Sequence, residues 1–382
     1  MAETVLATGN EKQIWIDKFF EEYVRTSRFL PYMGAGYNMP IVTKYELEQE
    51  AGKTINIPLL TRLKAQGVYN NGILEGKEEA MGNYNMPISI QWIRNAVTVP
   101  KSTQYKTEIN LLNAARPLLR TWSAENLRDW IIKVGMSSAW ASGANYPMVQ
   151  ILDDDGNVVR AAADENQKDT WLGNNLDRIL FGNALANTSG TDHSASLANI
   201  TTAMKMSTGI AMLAKELAVL ANPHIRPFQV EDSEAREYFV MFLGQRAMRD
   251  LQNDTAMIAA NRDARAREAM GMDRNPLFQD GDLIYDGIIF RCVPEITTIL
   301  TTSSAFATAS STGTPIEPCF LCGAQAAAIA WGEQPTPVTD LLPDYRFRPG
   351  VAIQELRGVE KLVFNNVQQG MVTVYVAGSA SA

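Results

Sequence analysis

Cysteine and histidine are scarce in this sequence. Cys292, Cys319 and Cys322 are the only cysteines in 382 residues. They are too few, and odd in number, for the disulfide framework of a small secreted scaffold. Two histidines, His193 and His224, leave little material for His-rich metal sites or His-based catalysis. No stretch approaches the roughly 18 consecutive apolar residues of a membrane span. The first residues, MAET, lack the basic and apolar segments of a signal peptide. The expectation is a soluble chain made in a reducing compartment, without a membrane partner. Positive charge is also in deficit: Lys plus Arg number 34 and Asp plus Glu 42, a net charge of −8. That balance argues against tight binding of free duplex DNA, which needs a basic surface.

Motifs that carry chemistry are equally thin. Gly52-Lys53-Thr54 ends like a phosphate-binding loop, but Leu47 stands where the first glycine is required. Gly34-Ala35-Gly36 lacks the third glycine of a dinucleotide fingerprint. Cys319-Phe320-Leu321-Cys322 has metal-like spacing, yet a structural zinc takes four ligands and no second pair or nearby histidine exists. Apolar neighbours make these buried thiols. Asp153-Asp154-Asp155-Gly156 lacks the spaced ligands and distal glutamate of a calcium loop. Ile151-Leu152 and Val158-Val159 around it make a hairpin turn. His193 lies in a polar stretch and His224 follows a helix-stopping proline, so both read as exposed or capping residues. No catalytic residue, cofactor or metal site is expected.

What is present is a globular composition, 46% hydrophobic and 20% charged, with enough chain for two or three domains. Near the start, Ile16, Phe19, Phe20, Tyr23 and Val24 form a broad apolar stripe at helical spacing, with Trp15 beside it and Asn10 as cap. This arm is either a core-facing helix or one that packs on a neighbouring subunit. Ile55, Ile57 and Leu59 then alternate with polar residues or Pro58, as do Ile88, Ile90 and Trp92 further on. Pro58 and Pro87 suit edge strands. Residues 64–85 between these strands hold Gly67, Gly72, Gly76 and Gly82 and the cluster Glu75, Lys77, Glu78, Glu79. So long a loop is usually functional, and the whole unit reads as a projecting two-stranded flap that needs a surface to lie on.

A long helix is expected over residues 103–140, kinked or broken at Pro117, followed by a hairpin over 145–163. Helices are expected over 170–185, 203–221 and 256–270, the second with Ile210, Leu213, Leu217 and Leu220 on one side. Residues 187–196 and 297–315 read as loops. Residues 238–243 form an apolar strand running into a helix at Gly244. Asp286-Gly287 marks a tight hairpin between Leu283-Ile284-Tyr285 and Ile288-Ile289-Phe290. Residues 320–331 read as a strand entering an Ala-rich helix, and 359–376 as strands turning at Gln369-Gly370. Helices and strands mix without strict alternation, so the class is α+β.

The order of these elements resembles the fold of tailed-phage major capsid proteins, and more closely the podophage-type family. The resemblance rests on several stretches: Trp15 to Phe20 with Phe29 to Gly34 in the arm, Gly52 to Leu59 entering the extended loop, and Tyr285 to Ile289 in the body hairpin. Gly323 to Gly332, as a late helix, and Gly358 to Lys361 complete it. Around Asp344 to Pro349 the sequence departs from the family's pattern. The resemblance implies a structural coat protein that self-assembles, as pentamers and hexamers, into an icosahedral shell enclosing a tailed phage's genome. It locates the protein in the virion capsid, assembled in the bacterial cytoplasm. It divides the chain into an arm (1–45), an extended β-hairpin loop (46–100), a peripheral domain with the spine helix (101–197), an axial domain (198–345) and returning C-terminal strands (346–382). Expected interface residues are Trp15, Phe19, Phe20, Tyr23, Tyr69, Ile73, Leu74, Glu75, Lys77, Glu78, Glu79 and Tyr84. Portal and scaffolding proteins are implied partners, the latter separate because the chain begins at the arm. A decoration protein is also allowed, and packaged double-stranded DNA would be touched only weakly. The competing expectation is a soluble enzyme or ligand-binding protein whose glycine-rich loop is a lid.

Overall fold

The computed structural model describes residues 27–45, 54–106, 110–229, 236–260, 283–340 and 343–379. The expected arm helix lies outside them, as does the expected helix over 256–270 beyond residue 260. In chain order the strands begin with β1 (Met33–Gly34), β2 (Ile41–Lys44), β3 (Thr54–Leu60), β4 (Asn83–Ser89) and β5 (Gln91–Thr98). The helices α1 (Lys101–Gln104) and α2 (Leu111–Trp130) follow. Asn110 caps α2, its Oδ1 accepting the Asn113 N–H at 3.1 Å.

The single long helix expected over 103–140 is therefore not formed. α2 runs through Pro117 without interruption and continues as a wide π-type turn, Ile131–Met136. Trp140, expected in the helix, lies in β6 (Ser138–Ala141), which pairs with β7 (Ala144–Pro147). Pro117 sits on an exposed face, so water can reach the backbone carbonyl its ring leaves unbonded.

Asp153 to Asn157 does turn a hairpin, between β8 (Ile151–Leu152) and β9 (Val158–Arg160), but Asn145 belongs to the β6–β7 pair. The next helix, α3 (Glu165–Asn174), starts earlier than expected because Asp164 and Gln167 form a reciprocal capping box. Residues expected at its end form β10 (Ile179–Phe181) instead. Asp192 caps α4 (His193–Ala198), and His193 is buried, contrary to its expected exposure. Ser207 caps α5 (Thr208–Leu220). Its buried face is Ile210, Ala211, Ala214 and Ala218, with Leu213 and Leu217 partly covered and Leu220 exposed. Small side chains, not the leucine row, allow close approach to the sheet.

The body continues with β11 (Phe228–Gln229), β12 (Glu237–Leu243), α6 (Gln245–Gln252), β13 (Leu283–Tyr285) and β14 (Ile288–Cys292). Asp286 and Gly287 both have positive φ, 48° and 72°, which the two-residue turn between β13 and β14 requires. The expected 297–315 loop begins as a helical turn, Thr297–Thr301, and buries Leu300, Thr301 and Phe306.

The last strands are β15 (Ile316–Cys322), β16 (Ala327–Asp340), β17 (Gly350–Lys361), β18 (Val363–Phe364), β19 (Val367–Gln368) and β20 (Met371–Ala377). The expected Ala-rich helix is thus the start of a long strand. Ala327, Ala328, Ile329 and Ala330 are fully buried and pair in parallel with Ile41, Val42, Thr43 and Lys44 of β2. Burial on both faces overrides alanine's helix propensity. The near approach of Gly135, where a Cβ would stand 3.5 Å from that of Ala327, shows why bulkier side chains are unsuited. A turn lies at Asn365 and Asn366, both with positive φ, inside the stretch expected to turn only at Gln369-Gly370.

The chain forms two compact units. The larger covers Ser27–Trp92, Glu125–Gln334 and Leu356–Ala382. Its main sheet has seven strands, ordered β10-β20-β15-β12-β14-β13 with β11 beside β12. β12, β15 and β20 bury nearly every side chain, and α5 and α6 contribute Ile210, Ala211, Ala214, Met248 and Leu251 to the same core. Elsewhere in this unit Lys361, at the end of β17, is buried as well. Its Nζ donates to the Ser138 carbonyl (2.9 Å) and Gln368 Oε1 (3.2 Å) and lies 4.9 Å from the Trp171 ring centre. Burial pushes the Lys361 amine down to about 7.

The smaller unit contains Ile93–Ala124 and Pro335–Glu355. Leu119, Val351 and Ile353 form its core with Leu112 and Trp122 against them. Ser123 donates to the buried Glu355 carboxylate at 2.7 Å. Arg116, Arg120, Pro335 and Pro337 line an open groove of about 500 Å³ on this unit.

Candidate assembly surface

β3 and β4 pair antiparallel from Thr54↔Ser89 to Leu60↔Asn83. Alternation places Ile55, Ile57 and Leu59 on one face, opposite Ile88, Met86 and Tyr84. At the root this face is packed: Ile57, Met86 and Ile88 are buried. Met86 Sδ accepts the Val363 N–H at 3.1 Å. Gly358 makes room for the hairpin, since a Cβ there would lie 2.1 Å from the Ser89 carbonyl oxygen. The opposite face, with Asn56, Pro58, Asn85 and Pro87, is exposed. A two-stranded sheet has only edges, so both prolines fit without breaking a central ladder.

Beyond Leu60 and Asn83 the chain leaves the sheet but not order. The Thr61 N–H donates to the Gly82 carbonyl at 2.9 Å. The two oxygens of Glu79 accept the backbone N–H groups of Lys64 (2.6 Å) and Ala65 (2.7 Å), tying the two limbs of the loop together. Those amides, Lys64's foremost, hold the Glu79 carboxyl below its usual range. Short turns follow at Tyr69 to Gly72 and Leu74 to Lys77. Gly76, at φ 82°, supplies a backbone geometry that a side chain would strain, and its N–H donates to Glu78 at 2.8 Å.

This braced loop carries an unusual load of uncovered apolar side chains. Ile73 is 73% exposed and Tyr69 71%, and Leu63, Leu74 and Met81 are similarly open. Monomeric surfaces rarely gather so many together. Of the expected interface residues, Tyr69, Ile73, Leu74, Glu75, Lys77 and Glu78 are all exposed on the tip, and Tyr84 is exposed nearer the root. Glu79 is exposed too, but its carboxylate is engaged in bracing the loop. Trp15, Phe19, Phe20 and Tyr23 lie outside the described residues. Leu63 and Met81 are uncovered too, although nothing local in the sequence marks them. They are isolated apolar residues among polar ones, with no periodicity to mark them.

Between the flap and the body lies a cleft of about 660 Å³, lined by Leu59, Arg62, Tyr84, His224, Phe364 and Val367 among others. It is the feature on which a lid reading would rest. The other chemical decoys have structural roles. Cys319 and Cys322 lie in β15, where a spacing of three sends side chains to opposite faces, so they cannot converge on one ion. Burial pushes both thiols up. Asp153 accepts the Asn157 N–H (2.7 Å), the Asp155 N–H (3.1 Å) and the Asn157 side-chain amide (3.0 Å), closing its own turn. Burial pushes His193 down to about 3, and its Nε2 lies 3.3 Å from the Tyr375 hydroxyl among Trp171, Phe181 and Tyr375. It is a neutral core residue. Among the described residues no helix is long and apolar enough to cross a membrane.

Comparison with known proteins gives one consistent result. A family profile described as phage capsid protein matches residues 4–380. The major capsid protein of Pseudomonas phage KPP25 is 24% identical, over 97% of this chain and 96% of its own. The capsid asymmetric unit of cyanophage Pam1 superposes with a TM-score of 0.85 at 34% identity, covering all of both chains. The capsid of Ralstonia phage GP4 superposes with a TM-score of 0.72 at 18% identity, again over both whole chains.

Proposed function

Because the chain belongs to the phage capsid protein family and is a structural major capsid protein rather than an enzyme, we propose that the flap tip is the part by which one copy of the shell grips the next. That the protein associates with itself into a capsid shell is the premise. The proposal concerns which residues do the gripping. The observation that carries it is the contrast along one hairpin: a root buried against its own chain and a braced tip with Tyr69, Ile73 and Leu74 open to solvent. Burying one such side chain stabilises a contact by about 1.5–3 kcal/mol. Glu75, Lys77 and Glu78 surround these residues with both signs of charge, which favours a defined register over loose adhesion. Glu79 holds the loop in shape before the contact forms, which lowers the entropy lost on association.

The arm residues Trp15, Phe19, Phe20 and Tyr23 belong to the same reading, as a second apolar element shared between neighbours. Head-to-tail contacts of this kind close into rings, and pentamers and hexamers of an icosahedral shell follow from them. The division into arm, extended loop, peripheral, axial and C-terminal segments goes with this reading. So do assembly in the host cytoplasm and partnership with portal and scaffolding proteins, and a decoration protein is compatible with it. A net charge of −8 suits a shell that encloses double-stranded DNA with only weak contact. Deleting residues 67–82 from the complete chain tests the flap. The expected product is a folded subunit that forms no shells, seen by circular dichroism and negative-stain imaging. Normal particles from this variant would refute the reading.

A further inference from the structure

Helix α6, strand β15 and the segment just after β20 meet around one buried acid, Glu317. Its side chain is wholly enclosed. One oxygen, Oε1, accepts the Thr297 hydroxyl at 3.0 Å, and the same hydroxyl accepts the Gln245 N–H at 2.8 Å at the start of α6. The other oxygen, Oε2, is buried with no hydrogen-bond partner. Two glycines make space for this carboxyl. A Cβ on Gly244 would lie 1.7 Å from Oε1, and one on Gly378 would lie 3.2 Å from Oε2. The site is therefore built around an acid, and the unpartnered oxygen stands beside Gly378.

The Gly378–Ser379 segment is held from the other side by α6. Arg246 Nη1 donates to the Gly378 carbonyl at 2.7 Å, and Arg249 Nη2 donates to the Ser379 carbonyl at 3.0 Å. The charged and titratable groups facing Glu317 can be named element by element. From α6 these are Arg246, which together with the Ala247 N–H favours the ionised acid, and Asp250, which opposes it. From its own strand it is Cys319. The Thr297 turn contributes a hydroxyl, and Gly378 and Ser379 carry no charge. Arg249 is engaged by Asp250 at 2.9 Å. Arg246 thus holds the carbonyl of the very residue that stands beside Oε2, and its charge favours the ionised form of the Glu317 carboxyl.

We propose that Glu317 and Arg246 form a proton-operated latch on the Gly378–Ser379 segment. With Glu317 protonated, Arg246 stays on the Gly378 carbonyl and the segment is held against β15. When the proton leaves Glu317 for solvent, the carboxylate becomes the stronger acceptor. Arg246 turns to it, and the segment loosens. Desolvation, the largest influence, pushes the Glu317 carboxyl up to about 7 from 4.5, so the change falls near neutrality. The sign follows from proton binding. The folded state holds this proton where the unfolded state has lost it, so the contribution to stability is full below about 4.5 and is lost as pH rises through about 7.

Hydrogen exchange read by mass spectrometry on assembled particles of the full chain, between pH 5.5 and 8.5, tests this. Rates are corrected for the intrinsic pH dependence of exchange. In the wild type the peptide covering Gly378 and Ser379 should lose about ten-fold or more of its protection, with a midpoint near 7. In Glu317→Gln, which keeps the shape but cannot ionise, protection should stay high across the range. In Arg246→Ala it should be lowered and independent of pH, the Gly378 N–H bond to the Pro315 carbonyl (2.8 Å) and the Arg249 bond to the Ser379 carbonyl remaining. A wild-type peptide with flat protection overturns the latch, and that result needs no variant to fold. An unchanged midpoint in Glu317→Gln also overturns it.

Discussion

The root and the tip of the flap belong to one hairpin and are built to opposite rules. At the root Met86 is 1% exposed, paired across the strand with Ile57 and bonded through its sulfur to the Val363 amide. At the tip Ile73 is 73% exposed although the backbone around it is braced by Glu79. Order at the root comes from burying apolar surface, the main driving force of folding. Order at the tip comes from hydrogen bonds of the loop to itself, leaving apolar side chains uncovered. The difference teaches that a projecting element can be pre-shaped by its own chain and still depend on another chain for its apolar contacts.

That contrast can be broken most forcefully at the root. Met86→Ala removes a buried side chain and should destabilise the subunit by about 2–5 kcal/mol, read as a lowered denaturation midpoint with assembly falling in step. A change of under about 0.5 kcal/mol, the range of ordinary surface substitutions, would mean that the root is not packed as described. The brace offers a gentler test. The Glu79 carboxyl is held below 4.5 by the Lys64 and Ala65 amides. The clamp is therefore complete above 4.5 and is lost as pH falls through its lowered value. Exchange protection of those two amides, corrected for intrinsic rate, should drop on acidification in the wild type. In Glu79→Gln it should be low and nearly independent of pH. A pH response that survives in Glu79→Gln would assign the brace to another group.

The sequence made the root legible and the tip only partly so. Ile55, Ile57 and Leu59 alternate, and strand period follows directly from alternation. Asp286-Gly287 announced its turn because only a few residues tolerate the required positive φ. The Ala-rich run from Ala326 to Ala330 misled because alanine's helix preference is local, while burial on both faces of β16 is decided by residues far away in sequence. The row Ile210, Leu213, Leu217 and Leu220 of α5 is legible in part: the first three are buried or partly covered against the core, while Ala211, Ala214 and Ala218 complete the buried face and Leu220 is exposed. Lys361, Arg178 and Glu317 gave no signal at all. Their burial depends on partners remote in the chain, such as the Gln368 and Gln369 carbonyls for Arg178. At the tip, glycine spacing and charge marked the loop, but nothing local showed that Glu79 turns back onto Lys64 and Ala65 while Leu63 and Met81 stay uncovered.

The claim that the tip acts between subunits is tested most directly by the double variant Ile73→Ala with Leu74→Ala. The concentration at which shells first form is compared with the denaturation midpoint of the unassembled subunit. Both side chains are exposed in the single chain, so the midpoint should stay within the range of surface substitutions, about 0.5 kcal/mol. Losing contacts worth at least about 1.4 kcal/mol per subunit should raise the assembly concentration roughly ten-fold or more. An unchanged assembly concentration beside a clearly lowered midpoint would contradict the account and place these side chains in the subunit's own fold.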